Sequence, residues 1–171
     1  MKNEVVWVKR KFDFDLPVEM FPVVVERLRG TPARLEDKLR GLSREVLTRK
    51  QGDGWSVQEQ VGHLLDLEEL WEGRVDDFLA GLEELRPADI TNRVTRHKNH
   101  NADSITNLLD AFRRKRAGLV ARLESFGVAG AGKSARHPRL NQPMRVIDLA
   151  LFIAEHDNHH LAKMTGMISW S

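Results

Sequence analysis

Four stretches of this chain repeat apolar side chains at steps of three, four and seven residues, the period of a helix with one buried face. The first covers residues 18–41, with Phe21, Val24, Leu28, Leu35 and Leu39 on its stripe and Leu42 just beyond. Gly30-Thr31-Pro32 interrupts it. Proline lacks an N–H and clashes with the preceding turn, so a kink or short break is predicted there, with Thr31 capping a restarted helix and Pro32 at its first position. The second follows the loop Gln51-Gly52-Asp53-Gly54. Ser56-Val57-Gln58-Glu59 matches a capping box, in which Ser56 accepts from the Glu59 N–H and Glu59 reaches back. That helix is predicted to run to about residue 85, before Pro87. The third spans 103–126, with Ile105, Leu108, Leu109, Phe112, Leu119, Val120, Leu123 and Phe126 as its apolar positions and Gly127 as its stop. The fourth spans 144–168.

Four amphipathic helices of ~20–28 residues need one another's apolar faces, and the chain is the length of one ordinary domain. The expected fold is all-α: a single four-helix-bundle domain over residues 1–171. Residues 1–16 alternate loosely between apolar and charged and predict an extended arm ending at Pro17, packed on its own bundle or on a partner's. The polar connections 87–101 and 127–143 are long interhelical loops. At about fifteen residues they exceed a tight antiparallel turn and permit a crossover.

Composition closes several routes. Hydrophobic residues at 41% and charged residues at 30% exclude wholesale disorder. Cysteine and tyrosine are absent, which removes disulfides, zinc fingers, thiolate sites and tyrosine acid–base roles. Any metal must be held by His, Asp or Glu. A net charge of +2 does not suit a dedicated nucleic-acid binder. The run Arg113-Arg114-Lys115-Arg116 points around all sides of its helix, and Arg116 falls on the apolar face, seven residues after Leu109. No apolar stretch approaches the ~20 residues of a membrane span, and no targeting segment is visible, so a cytoplasmic protein with no nucleic-acid or membrane partner is expected.

The histidines carry the chemistry. With His156 at zero on a helical wheel, His160 lies at about 40°, together with Leu149, Ile153, Met164 and Met167. Two imidazoles therefore share a stripe that should face the core. His159 falls on a polar side with Asp148 and Glu155. His63 shares its face with Leu67 and Trp71 at successive i+4 steps. Either these rings are satisfied core histidines, or they hold a divalent cation that relieves the burial of unpaired imidazoles. If the second and fourth helices adjoin, His63 completes a three-histidine site with His156 and His160, leaving coordination positions open for water or substrate. Asp157, at the edge of the apolar arc, is read as an acceptor for a ligand ring or as a boundary residue. Glu59 and Glu155 are candidate bases. His97, His100 and His137 lie in loops, where solvation is the default.

Two blocks bear a family resemblance. One is Gly54-Trp55-Ser56-Val57-Gln58-Glu59-Gln60-Val61-Gly62-His63-Leu64. The other is His137-Pro138-Arg139-Leu140 followed by residues 144–161, centred on Ala154-Glu155-His156-Asp157-Asn158-His159-His160-Leu161. With these the chain resembles the DinB-like family from about Leu16 onward. The resemblance implies a four-helix bundle and one divalent metal ion, nickel or zinc, on His63, His156 and His160. It also implies the family's varied activities, among them thiol S-transfer with bacillithiol or mycothiol and mycothiol-dependent maleylpyruvate isomerisation. In the transferase case the metal binds and deprotonates a low-molecular-weight thiol, which attacks a small electrophile; no protein cysteine is needed. Arg93, Arg96, Arg136, Arg139 and Arg145 are candidates for the carboxylates of such a cosubstrate, or ordinary surface charges. The competing expectations are a non-catalytic metal- or ligand-binding stress module and a metal-dependent hydrolase. A homodimer is expected from the family's habit.

Overall fold

The computed structural model describes residues 6–50 and 52–169. The first five residues of the expected arm, and Gln51 of the expected loop, lie outside them. The long helices form where the periodicity placed them, with local corrections. The first pattern divides into α1 (Phe21–Arg29) and α2 (Thr31–Leu39) about Gly30. Thr31 does not cap the restart: it is already helical, Pro32 follows it, and its hydroxyl donates instead to Asp157 Oδ2 at 2.8 Å. A short α3 (Arg44–Thr48), unforeseen, is capped by Ser43.

The next helix, α4 (Val57–Leu79), starts on the expected capping box: the Glu59 N–H donates to Ser56 Oγ at 3.1 Å, and the Ser56 N–H donates to Glu59 Oε2 at 2.8 Å. It stops six residues before the expected end. Gly81 takes φ +68°, so the N–H groups of Gly81 and Leu82 turn back to the carbonyls of Phe78 and Asp77 and close the last turn. The connection 87–101 is not a bare loop. It carries α5 (Arg93–His97), and a 3₁₀ turn follows at His100–Ala102. Helix α6 (Ile105–Glu124) is capped by Ser104. The expected loop 127–143 holds α7 (Gly127–Gly130) and an antiparallel hairpin of β1 (Ser134–His137) and β2 (Gln142–Arg145), paired from Ser134↔Arg145 to His137↔Gln142. The last helix, α8 (Val146–Ile168), begins two residues late because Met144 and Arg145 belong to β2. Asp148 is not on a polar side; it is buried, accepting from the Arg145 N–H at 2.8 Å to close the helix start.

Side-chain pairs fix the helix directions. Gln60 meets His160 and Trp71 meets Phe152, so α4 and α8 run antiparallel. Gln58 meets Asp103 and Glu68 meets Arg116, so α4 and α6 run parallel. Arg27 meets Glu155 and Lys38 meets Thr165, so the α1–α2 rod is parallel to α8. Helices α1 and α4 each pack against both α6 and α8, and therefore stand diagonally. The connections from α2 to α4 and from α4 to α6 are crossovers, and up-down-up-down order is absent.

The apolar interior falls into two clusters. One gathers Val24, Leu28, Val75, Leu119 and Ile153; the other gathers Leu35, Val61, Leu64, Phe112 and Met164. Between them lies a polar layer of Thr31, Glu68, Arg116 and Asp157. The arm packs on its own bundle. Trp7 meets Phe152 edge-on at 5.0 Å, and Arg145 Nη2 donates to the carbonyls of Phe14 and Leu16. Among the described residues, no helix is long and apolar enough to cross a membrane.

Candidate metal centre

Because α4 and α8 adjoin in antiparallel register, the histidines of both sequence blocks meet. His63, His156 and His160 are 4%, 3% and 5% exposed. Their ring centroids lie 4.8 Å (His63–His160), 5.4 Å (His63–His156) and 4.4 Å (His156–His160) apart. One ring nitrogen from each lies within 4.8 Å of the other two. Burial depresses all three basicities, His63 to about 4 against the opposing pull of Asp66, and His156 and His160 well below the ordinary value; His63 lowers both of them further, and His156 lowers His160. All three are neutral at pH 7 and offer lone pairs.

Hydrogen bonds orient two of these lone pairs. Thr95 Oγ1 donates its proton to Asp66 Oδ2 at 2.8 Å, so it can only accept from His63 Nδ1–H at 3.2 Å. His160 Nδ1–H donates to Gln60 Oε1 at 2.6 Å. Both rings therefore carry their proton on Nδ1 and a lone pair on Nε2. Asp66 is held in turn by His100 Nε2–H at 2.8 Å and Lys98 Nζ at 2.7 Å. Burial alone would raise the Asp66 carboxyl, but His100, Lys98 and Thr95 outweigh it and hold the carboxyl below its usual value. His100 reaches Asp66 only because residue 62 is glycine: a Cβ there would stand 2.3 Å from the His100 ring.

His156 is the ring no protein group satisfies. Its Nε2 lies 3.1 Å from His160 Nε2, and its buried Nδ1 has no partner among the described residues. Two nitrogens facing each other at that distance need a shared proton or a shared cation. Three neutral imidazoles, two with their lone pairs preset, fit a divalent borderline ion.

Three of the four tryptophans stand around the cluster. Trp55 lies 4.7 Å from His63, and Trp7 and Trp71 lie 5.0 and 5.9 Å from His156. They line a cleft of about 1230 Å³ together with Leu67 and Phe152. His63, His156 and His160 all open on it.

Other predicted residues are spoken for. Asp157 is neither an acceptor for a ligand ring nor a boundary residue: it is fully buried and accepts from Arg116 and Thr31. Glu155 is bound by Arg10 and Arg27, and Glu59 by Lys50 and the helix cap, so neither is poised as a base. His159 is half-buried on the cleft wall, its ring 5.7 Å from Trp7. His97 is exposed as expected, whereas His100 and His137 are buried, because the connections that carry them fold back over α4 and α8. Arg93, Arg136 and Arg145 pair with Asp89, Glu84 and Asp148; Arg96 and Arg139 line the cleft. Sequence reasoning missed Gln60, Asp66 and Thr95. Gln60 and Asp66 each lie one turn from His63, a spacing open to inspection; Thr95 comes from the folded connection and left no such signal.

Together these features define a helical bundle of crossover topology with three convergent imidazoles on a cleft wall. The DinB superfamily profile matches residues 27–164, and the chain belongs to that superfamily. Among solved structures it is similar to YfiT from Bacillus subtilis, described as a probable metal-dependent hydrolase with an unusual four-helix bundle topology. That likeness has a TM-score of 0.79 at 19% identity, covering 94% of this chain and 93% of that one. No curated protein sequence matches the chain.

Proposed function

We propose that this chain is a divalent-metal enzyme acting on small molecules, with His63, His156 and His160 as the ligands of one nickel or zinc ion. The observation that carries this reading is the preset pair of Nε2 lone pairs beside the unsatisfied His156 ring, all on the wall of an open cleft. The open cleft gives a small molecule access to the three rings. A bound ion would supply Lewis acidity, lowering the pKa of a thiol or water beside it toward neutrality.

Activation of a low-molecular-weight thiol is the reading best supported. The nearby carboxylates Glu59, Asp66, Glu155 and Asp157 are all engaged in other pairs, so the site favours a nucleophile that needs no carboxylate base. The thiol sulfur would form a bond to an electrophilic carbon, the leaving group would depart with its electron pair, and the thiol proton would pass to solvent. The tryptophan walls give the reacting centre apolar flanks. A hydrolase is the second reading. The fold likeness to YfiT favours it, and His159 on the cleft wall, its ring 5.3 Å from that of His160, is an imidazole not assigned as a ligand.

Elemental analysis of untagged protein tests the metal: one nickel or zinc per chain is expected, with at least tenfold weaker affinity in His63→Ala and His156→Ala. Unchanged metal content in both variants rejects the triad. Conjugation of bacillithiol or mycothiol to chlorodinitrobenzene, run beside p-nitrophenyl ester hydrolysis, separates the two reactions. A cytoplasmic setting, where such thiols stay reduced, and a homodimer belong to the same proposal. Exposed Val23, Leu79 and Leu82 are apolar surface that pairing would cover, and the molar mass in solution tests it.

A further inference from the structure

Three helical turns from His63 along the same face of α4, the cleft contains a second polar group with a different chemistry. Arg74 is 1% exposed. Its Nε donates to the carbonyl of Arg86 at 3.2 Å and its Nη1 faces His137 Nε2 at 3.1 Å, but Nη2 is buried with no partner among the described residues. Arg139, from the hairpin turn, gives Nη1 to the carbonyl of Val8 at 2.8 Å and likewise leaves Nη2 buried without a partner. Both side chains, with His137, line the cleft that holds the three histidines. Among the described residues no carboxylate forms an ion pair with either. Asp77, the nearest acid acting on Arg74, accepts from the Arg86 backbone N–H and side chain through both of its oxygens.

A buried guanidinium without a counter-charge, such as that of Arg74, is expensive to desolvate, and a second, half-buried cation at Arg139 adds repulsion. Burial, and then repulsion from Arg139, pull Arg74 down to about 10; burial, and then the same two cations, lower His137 to about 3. That electrostatic debt is what an oxyanion would relieve, because a guanidinium edge with free N–H groups matches a carboxylate or phosphate face. The walls between the two ends are apolar: Arg74 lies over Trp71 at 5.5 Å and Arg139 over Phe152 at 5.8 Å, and both rings lie on the path to His156. Along α4 the two ends are separated by about 16 Å at 1.5 Å per residue.

We infer that Arg74 and Arg139 form an oxyanion seat that anchors the acidic head of an elongated small molecule, whose apolar body lies on Trp71 and Phe152 and whose far end reaches the three histidines. This rests on the reading of the histidine cluster as the reactive centre, but the seat itself is built from other residues. Its ligand class is an aryl- or alkyl-bearing acid, with a carboxylate or a phosphate as head group.

Calorimetric titration of the purified protein with 4-phenylbutyrate, with its neutral amide and with inorganic phosphate tests the seat. The carboxylate is expected to bind at least tenfold tighter than the amide. Arg74→Gln and Arg139→Gln, each checked for native helicity by circular dichroism, are expected to lose that preference. Arg139 lies in a turn, so its variant keeps the test open if Arg74→Gln does not fold. Competition by phosphate supports a general oxyanion seat; retained carboxylate binding without competition supports a carboxylate-specific one. Equal binding of acid and amide, no binding of either anion up to 20 mM, or unchanged binding in a folded arginine variant overturns the inference. The two readings fail separately: loss of the metal reading leaves the carboxylate preference intact, and loss of the seat leaves divalent-metal binding intact.

Discussion

Two polar groups lie buried side by side in this bundle, and they solve the problem of burial in opposite ways. Arg116, 1% exposed, is closed on itself: Nη2 donates to Glu68 at 2.6 Å and to Asp157 at 3.1 Å, Nη1 pairs with Asp157, and Thr31 takes up a remaining carboxylate lone pair. One residue along α8 from Asp157, His156 belongs to a cluster whose bonds run outward to Gln60 and Thr95 and leave its centre unsatisfied. The first arrangement ties α2, α4, α6 and α8 together at mid-height. The second gives up that closure and faces a cleft. A buried polar network that balances internally holds helices in register; one whose lone pairs converge offers them to a ligand.

The sharpest way to break this contrast is to remove the centre of the closed group. Arg116→Met leaves two buried carboxylates without their cation, and is expected to destabilise the fold by about 3–5 kcal/mol in denaturant unfolding. In metal-free protein, His156→Leu replaces an unsatisfied ring with an apolar one. It is expected to change stability by less than about 1 kcal/mol, or to raise it. Equal losses from both would erase the distinction.

Acidity should act on the two groups with opposite sign. His63 falls from 6.5 to about 4 on folding, so the metal-free protein keeps that contribution above pH 6.5 and loses it as pH drops through about 4, up to about 3 kcal/mol. Burial pushes Glu68 from 4.5 up to about 7 against the pull of Arg116, so its contribution is present below pH 4.5 and lost as pH rises through about 7. Unfolding free energies measured from pH 4 to 8 should flatten at the acid side in His63→Leu and toward neutrality in Glu68→Gln. A slope unchanged in both variants would assign the pH dependence elsewhere.

Added metal should sharpen the contrast further. At a hundredfold excess over Kd, zinc or nickel is expected to stabilise the native protein by about 2.7 kcal/mol, read as a rise in Tm, and to leave His156→Ala unmoved. The smallest expected effect on metal binding comes from the outward bonds. Thr95→Val removes the acceptor that fixes the His63 tautomer and should weaken metal binding about tenfold, or about 1.4 kcal/mol, with helicity preserved. Unaltered affinity there would mean that Asp66 and Thr95 support the connection and not the ring.

Much of this was legible along the chain because it is governed by local physics. The capping box at Ser56 needs four consecutive residues, and it forms as read. The stripe that joined His156 and His160 to Leu149, Ile153 and Met164 needs only the helical repeat, and those residues are buried. The break near Gly30 followed from Pro32, although Thr31 turned out to serve Asp157 through space and not the helix end. Where the reading failed, the deciding contact came from far along the sequence. Arg116 was visible as an oddity on an apolar face, but its partners Glu68 and Asp157 are 48 and 41 residues away. The hairpin at 134–145 depends on pairing across a turn through Asn141 at φ +54°, in a stretch whose small residues read as a loop. Arg74 lies eleven residues beyond His63, on the same face of the wheel, yet only folding shows that no acid reaches its Nη2.

By itself the sequence determined the helical rods, which face of each is apolar, and which imidazoles lie on those faces, since all three follow from a repeat of 3.6 residues and the chemistry of neighbours. The tertiary structure alone decided that the second and fourth long rods adjoin in antiparallel register and bring His63 to the other two rings. It also decided which buried charges would find a partner. Both are questions of distance between residues remote in the chain, and these are settled when the apolar faces pack, not when the helices form.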